Sequence, residues 1–344
     1  MPPRDDGRPA PYDRLADRLD DLPSPSLSTL PDGSVDAYCR LHAGAVGPLE
    51  TLEALGREIR RGERSTYRMR RESVAPGGQA VNVARQLDAL DAAVTCFGHL
   101  DHPVFDGLSV DTVSMGDPAL VYAFNFRNGD VMFVENTAVE RWSLADLRTV
   151  ADLQGVFDRD AVYCANWVSF PEMGAAFHEL GELSLPRRPF VLDPGDLVGF
   201  EPAAIEALLE ALGALQESVD VVYNANRQEI RATAATLPDP PADDHDRLAA
   251  VREAAGITAA VLHAPAEAAV ATADGVTSVE NVETVRPTRY TGGGDRFGGG
   301  LAFGLGAGWD WEVSLALGTA CATHYVGTAA TATPADLADL LDGA

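Results

Sequence analysis

The sequence predicts an α/β protein: a doubly wound, mostly parallel sheet sandwiched by helices, with a small β-lid. Three observations carry that expectation. Short apolar runs at residues 92–98, 161–168, 190–192, 219–223 and 258–263 have the look of strands covered on both faces. Between them lie Ala/Leu/Glu-rich stretches of helical period at 79–90, 172–183, 202–215, 227–234 and 244–255, and this alternation is the signature of crossover connections in a parallel sheet. Outside that rhythm, extended segments at 34–42, 65–74 and 119–135, the last broken by the hairpin signal Asn128-Gly129, make a small β-layer. Its functional reading is a lid over a cleft, and its ordinary reading is an extra edge hairpin.

Residues 1–25 are rich in Pro, Asp and Arg and read as an N-terminal tail or a loosely docked helix, so the α/β domain is expected over 26–344. Helices at 295–306 and 311–325 would close it.

Charge excludes several function classes. Asp and Glu number 52 against 26 basic residues, a formal net charge of −26, and every basic residue is Arg. Acids spread along the whole chain, without a block that would mark an acidic docking surface, imply a protein adapted to concentrated salt, as in an extreme halophile. Nucleic acid is excluded as a partner because phosphate backbones are held by clustered positive charge. A small phosphorylated ligand is not, since a few Arg and backbone N–H groups can hold it locally. The four cysteines Cys39, Cys96, Cys164 and Cys321 form no CxxC pair and read as small buried hydrophobes, which argues against zinc. No apolar run reaches membrane-spanning length and the N-terminus lacks a signal-peptide core, so a cytoplasmic protein with no membrane partner is expected.

The most informative stretch is Thr291-Gly-Gly-Gly-Asp295-Arg-Phe-Gly-Gly-Gly300. Gly292, Gly293 and Gly294 leave consecutive N–H groups open to an anion, and a following helix adds its positive end. Asp295 beside that anion then has an evident task, taking a proton from a hydroxyl as it meets a phosphoryl group. The competing reading is a tightly packed turn with a first-turn acid. Three further segments point the same way. Gly77-Gly78-Gln79 leads into a helix that presents the Asn82 amide to sugar hydroxyls, and Asp36 stands near a strand end where it can accept from the same sugar. Asn226 and Glu229 follow the run at 219–223, where a Glu can orient the water around Mg²⁺ instead of binding it directly, although Asn-x-x-Glu is also a capping box.

Together these motifs resemble the ribokinase-like (PfkB) carbohydrate kinase superfamily over about residues 30 to 335. Gly77-Gly78 with Asn82-Val-Ala84 is similar to its N-terminal signature, and Gly292 to Gly300 to its C-terminal one. Asn226 and Glu229 resemble its Asn-x-x-Glu motif, and Asp193-Pro194 the Asp-Pro pair at another strand end. The resemblance implies an ATP- and Mg²⁺-dependent sugar kinase with Asp295 as catalytic base. It also implies Gly292 to Gly294 as anion hole, Asp36, Gly78 and Asn82 as substrate ligands, and Glu229 in the magnesium network. Two departures stand out. The stretch between Asp101 and Leu120 is shorter than the family's, so a helical unit is expected to be missing there. Leu262-His263-Ala264-Pro265-Ala266 replaces the usual Thr-x-Gly turn, and with Gln79-Ala80 it is similar to the ADP-dependent sugar kinases, which makes ADP the alternative donor.

For the acceptor, the resemblance and the halophilic composition suggest ribose 1-phosphate, converted to ribose 1,5-bisphosphate. That substrate needs a cation for its phosphate, and Arg85, Arg127 and Arg141 are the candidates, with Asn166 a further polar ligand. The alternatives are a nucleoside or free-sugar kinase of the same fold, and a sensor that binds sugar phosphate or nucleotide without turnover. The lid would also offer a face for a homodimer. From the charge follows the first expected outcome. Molar KCl should raise the melting temperature well above its value in dilute buffer, because screening relieves self-repulsion. An unchanged melting temperature would remove the argument from composition.

Overall fold

The computed structural model describes residues 10–44, 47–282 and 291–343. In chain order the strands are β1 (Ser26–Leu30), β2 (Ser34–His42), β3 (Arg68–Gly77), β4 (Ala93–Gly98), β5 (Asp111–Ser114), β6 (Ala119–Phe126) and β7 (Gly129–Glu135). They continue with β8 (Ala161–Ala165), β9 (Pro189–Asp193), β10 (Asp220–Asn226), β11 (Ala259–His263), β12 (Glu267–Thr272) and β13 (Gly275–Glu280). The helices are α1 (Pro11–Leu19), α2 (Leu52–Arg61), α3 (Gln79–Ala89), α4 (Leu144–Val150), α5 (Leu153–Phe157) and α6 (Met173–Gly181). After them come α7 (Pro202–Leu215), α8 (Arg227–Ala234), α9 (Asp244–Ala255), α10 (Gly293–Gly306), α11 (Trp311–Thr328) and α12 (Pro334–Asp342).

Among the described residues the main sheet has the order β13-β12-β11-β10-β9-β8-β1-β4-β5. It is parallel from β11 to β5, and β12 and β13 add an antiparallel edge. The central strands are buried on both sides, which is why their sequences read as unbroken apolar runs. One face packs Leu87, Leu301, Phe303 and Leu317 of α3, α10 and α11, and the other packs Phe177, Leu212 and Leu248 of α6, α7 and α9. Such a sheet gathers the C-terminal ends of its parallel strands on one edge, where loops carry ligands.

The second sheet has the order β3-β2-β6-β7, with β6 and β7 joined at Asn128-Gly129 as the sequence signalled. β3 begins and ends about three residues later than the segment expected at 65–74. Helix α2, capped by Thr51, packs Leu55 against Leu41, Leu49 and Phe126 of this layer. Within the stretch read as a tail or loosely docked helix, residues 11–19 form α1, whose Leu15 and Leu19 are buried; residues 1–9 lie outside the described residues. Strand β1 was not among the apolar runs because Ser-Leu-Ser-Thr-Leu mixes polar and apolar side chains, yet Ser28 and Thr29 are fully buried. Where a helical unit was expected to be missing, a single 3₁₀ turn at Pro103–Phe105 and the short β5 fill the interval. No helix among the described residues is long and apolar enough to cross a membrane.

The second glycine trio serves packing. A Cβ on Gly298 would meet the Tyr163 hydroxyl at 2.4 Å, one on Gly299 the Gln86 side chain at 2.8 Å, and one on Gly300 the Gly318 backbone at 2.8 Å. Helix α10 is thereby drawn onto β8, α3 and α11 at once. Gly300→Ala should destabilise the fold by about 1–3 kcal/mol, because the new methyl meets backbone that cannot rotate away. Denaturant titration with no shift in midpoint would contradict this packing.

Candidate active site

Helix α10 starts the site. Gly292 is its N-cap at φ +92°, a conformation other residues rarely adopt, and Gly293, Gly294 and Asp295 form the first turn. Asp295 is buried, and its Oδ2 accepts from Asn82 Nδ2 at 2.8 Å across the α3–α10 contact. Burial is the main cause that pushes its pKa up to about 7, with Asp193 and Asp32 adding repulsion and the Arg296 guanidinium opposing them. A carboxyl poised there exchanges a proton near neutrality, which is what a general base requires. The sequence reading passed over Arg296. This buried residue donates to the Asn82 carbonyl at 2.7 Å and lies 4.6 Å above the centroid of the Tyr325 ring. Its backbone position next to Asp295 was the available signal, since a buried Arg beside an acid has to be held by partners.

The polar cleft beside Asp295 is built from strand ends and the start of α3. Asp32, which follows β1, accepts from the Gln79 N–H at 2.7 Å and from Asn166 Nδ2 at 3.2 Å. Asp193, ending β9, accepts from the Gly195 N–H at 3.0 Å, Gln79 Nε2 at 3.3 Å and the Tyr163 hydroxyl at 3.4 Å. Both acids are buried and both are raised by that burial, Asp32 to about 6. Asp36 on β2 takes the Ser34 hydroxyl at 2.7 Å and rests against Gly77, where a Cβ would lie 2.2 Å from its Oδ1. Gly77 is needed for that close approach, and Gly78 caps α3. Asn166 caps a 3₁₀ turn in the left-handed region, its carbonyl oxygen Oδ1 held by Ser169 at 3.2 Å.

On the other side of the α10 N-terminus lies a cavity of about 920 Å³, lined among others by Asn226, His263, Pro265, Gly293, Gly294 and Val326. His263 ends β11 and stacks on Phe297 with centroids 5.0 Å apart. Its Nε2 is buried with no partner among the described residues, and burial lowers its pKa to about 4, so the ring is neutral. Asn226 caps α8, donating its backbone N–H to Glu229 Oε2 at 2.8 Å while its side chain accepts from the Glu229 N–H at 3.1 Å. This is the capping box of the ordinary reading, but it holds a buried carboxyl whose pKa is raised by burial and by Asp193.

The structure therefore brings together Gly292, Gly293, Gly294, Asp295, Asn82, Gln79, Gly77, Gly78, Asp36, Asn166, Asp193, Asn226, Glu229 and His263 at one edge of the sheet. It does not bring Arg127 there. That residue pairs with Glu50 at 2.8 Å, its side chain 74% exposed at the hairpin end, so the expectation of a lid clamp at Arg127 is corrected. Arg141 is exposed and lines a separate cavity of about 410 Å³ with Asp101, Asp117 and Glu135. Arg85 is half-buried on α3, one turn after Asn82. Asp32 was missed as a site residue. Its signal was Asp-Gly directly after a strand, which went unread because β1 itself did.

A family model described as prokaryotic ketohexokinase matches residues 40–344. The chain belongs to the prokaryotic ketohexokinase family. It is a carbohydrate kinase of the ribokinase-like superfamily that the motifs resemble. A ketohexokinase of Haloferax volcanii is 29% identical over 280 residues, covering 76% of this chain and 74% of that protein. Among solved structures, the ribokinase of Thermotoga maritima matches with TM-score 0.68 at 14% identity, covering 92% of this chain and 98% of that one. The Arabidopsis thaliana ribokinase complexed with ribose and ATP matches with TM-score 0.64 at 16% identity, covering 93% and 99%. These two likenesses bear on the fold, which is that of this ketohexokinase-family protein.

The raised pKa of Asp295 has two consequences. Its folded value lies above the unfolded 3.8, so the contribution to stability is present at low pH and is lost as pH climbs from about 4 through about 7. Asp295→Asn should accordingly melt at a higher temperature than the parent at pH 8, the difference closing towards pH 4. Its turnover should fall by at least ~100-fold. Wild-type turnover in the variant would refute a role for this carboxyl in proton transfer.

Proposed function

We propose that the protein transfers the γ-phosphoryl group of ATP, with Mg²⁺, to a primary hydroxyl of a neutral ketohexose. One observation carries this reading: the first turn of α10 separates a mostly polar, acid-lined cleft from a large cavity. Asp295 faces Asn82 on one side, and Gly293 and Gly294 line the cavity on the other. Nucleotide in the cavity would set its phosphates against the N–H groups of Gly292 to Gly294 and the positive end of α10. Sugar in the cleft would bond through Asp36, Gln79, Asn82, Asp32 and Asn166. Asp295 then takes the proton of the attacking hydroxyl as its oxygen bonds the γ-phosphorus, and the bond to the β,γ-bridging oxygen breaks to release ADP. The neutral His263 ring, whose Nε2 beside Gly294 has no partner among the described residues, is suited to donate to a phosphate oxygen.

A hydrated Mg²⁺ fits the residues present. Among the described residues no cluster of three His, Cys, Asp or Glu could hold a metal directly. Glu229 is a buried acid repelled by Asp193, with no cationic partner among the described residues, a situation that a water-clad ion arriving with the nucleotide relieves. When bound, the ion would neutralise charge on the transferred phosphoryl.

The neutral acceptor is favoured because, among the described residues, the cleft's acids Asp32, Asp36 and Asp193 are negative, and Arg296 is engaged by Asn82 and Tyr325. Ribose 1-phosphate stays as the second reading on one observation, the half-buried Arg85 one turn from Asn82. The apolar Met132, Phe133 and Val134 exposed on β7 support pairing of the lid with that of a second copy. Steady-state assays with fructose, ribose, ribose 1-phosphate and nucleosides against ATP and ADP test the proposal. Fructose with ATP should give the highest kcat/KM. Ribose 1-phosphate in first place, with Arg85→Gln raising its KM selectively, would overturn it in favour of the second reading.

A further inference from the structure

The helix α1 precedes the residues matched by the family model, yet it reaches the large cavity. The Tyr12 hydroxyl donates to the Glu280 carbonyl at 2.7 Å, lies 2.9 Å from Thr319 Oγ1, and meets the backbone of Val282. All three of those residues line the cavity. Glu280 ends β13 at the antiparallel edge of the sheet, and Thr319 lies in the middle of α11, so one phenol ties the two walls together. Thr319 is itself buried, and its single hydroxyl proton has the Tyr12 oxygen and the carbonyls of Leu315 and Ala316 within hydrogen-bond reach.

The anchoring of α1 is independent of the cavity. Leu15 and Leu19 are buried against the core. Arg14 pairs with Asp310 at 2.9 Å, and also with Glu312, at the start of α11. Pro11 occupies the first helical position, where its lack of an N–H costs nothing. The helix is therefore a fixed post, and Tyr12 projects from it to the cavity wall.

We infer that α1 is a strut of the nucleotide site and that Tyr12 is a positioning residue for nucleotide, holding Glu280, Val282 and Thr319 in the arrangement the ligand meets. This rests on the reading of the cavity as the nucleotide site. The physical reason is preorganisation: a wall already fixed by hydrogen bonds need not be ordered when ligand binds. Removing the hydroxyl leaves the ring, the packing of α1 and the Asp295 side of the site as they are. The effect should fall on nucleotide and spare the sugar.

The test compares Tyr12→Phe, Thr319→Val and the double variant in the full chain. Tyr12→Phe should raise the KM for ATP about fivefold, the worth of one hydrogen bond, with kcat and the sugar KM within about twofold of the parent. ATP binding measured calorimetrically should weaken by the same factor. The double variant should lose less ATP affinity than the sum of the two single losses, because the Tyr12–Thr319 contact is shared by both substitutions. A Tyr12→Phe protein with a lower melting temperature but parental ATP binding would overturn the inference. Equal rises in both KM values, or additive losses in the double variant, would do the same. A parent that binds no nucleotide would overturn the cavity's reading and this inference with it, whereas a parent that binds ATP as tightly as Tyr12→Phe overturns the strut alone.

Discussion

Burial of a negative charge at Asp295 is opposed by the low polarizability of its surroundings, and the groups around it meet that opposition unequally. Asp193 and Asp32 add repulsion, Arg296 adds attraction, and Asn82 supplies one hydrogen bond. If attraction dominated, the carboxylate would be a weak base. If repulsion dominated, it would remain protonated and unable to accept. The balance leaves it exchanging near neutrality, and the geometry of the remaining site follows from keeping these four side chains where they are. Arg296 is central to that, because the same guanidinium that stabilises the charge also holds the Asn82 carbonyl and stacks on Tyr325.

That arrangement depends in turn on how closely α10 sits among its neighbours. The side chain of Tyr325 borders Gly292, so the residue that supports Arg296 also bounds the open turn from which the N–H groups project. The trio Gly298 to Gly300 lets the helix backbone settle against β8, α3 and α11 with no side chain between. Had these positions carried larger residues, α10 would stand farther from α3, and Asn82 and Asp295 would lose contact. The two glycine trios of one decapeptide thus differ in setting, one at a helix start that borders a cavity and one packed against protein.

Much of this was legible because it is local. The sequence placed α7, α8 and α9 to the residue, since α7 opens on Pro202 and carries a long Ala/Leu run while Asn226 and Asp243 cap α8 and α9. The glycine trio before Asp295 stood out in the sequence, and the structure places it at the N-cap and first turn of α10. What was not legible is long-range. Asp32 becomes a site residue through Gln79, 47 positions away, and Tyr12 reaches Glu280 and Thr319 across more than 260 positions. Arg127 misled for the opposite reason. Its place beside the hairpin was read correctly, but the carboxylate that engages it, Glu50, belongs to the segment leading into α2, whose approach to the hairpin no local pattern announces.

A chain of net charge −26 that is read as holding ATP poses a problem that distance resolves. The surface acids act through solvent and are screened over about 8 Å at physiological ionic strength, and over about 3 Å in molar salt. The N–H groups of Gly292 to Gly294 and the end of α10 would act on a bound phosphate at contact distance, in a site from which much of the solvent is withdrawn. Raising the salt therefore weakens the repulsion far more than the attraction. The same medium that relieves the self-repulsion of the fold also lets a local cluster of donors outweigh the field of the whole molecule. An acidic exterior and an anion site are then compatible provided the two are separated by more than a screening length. The α10 N-terminus packs beside α11, and Gly293 and Gly294 share their cavity with the acids Glu267 and Glu280, so the donors there would have to prevail at contact distance.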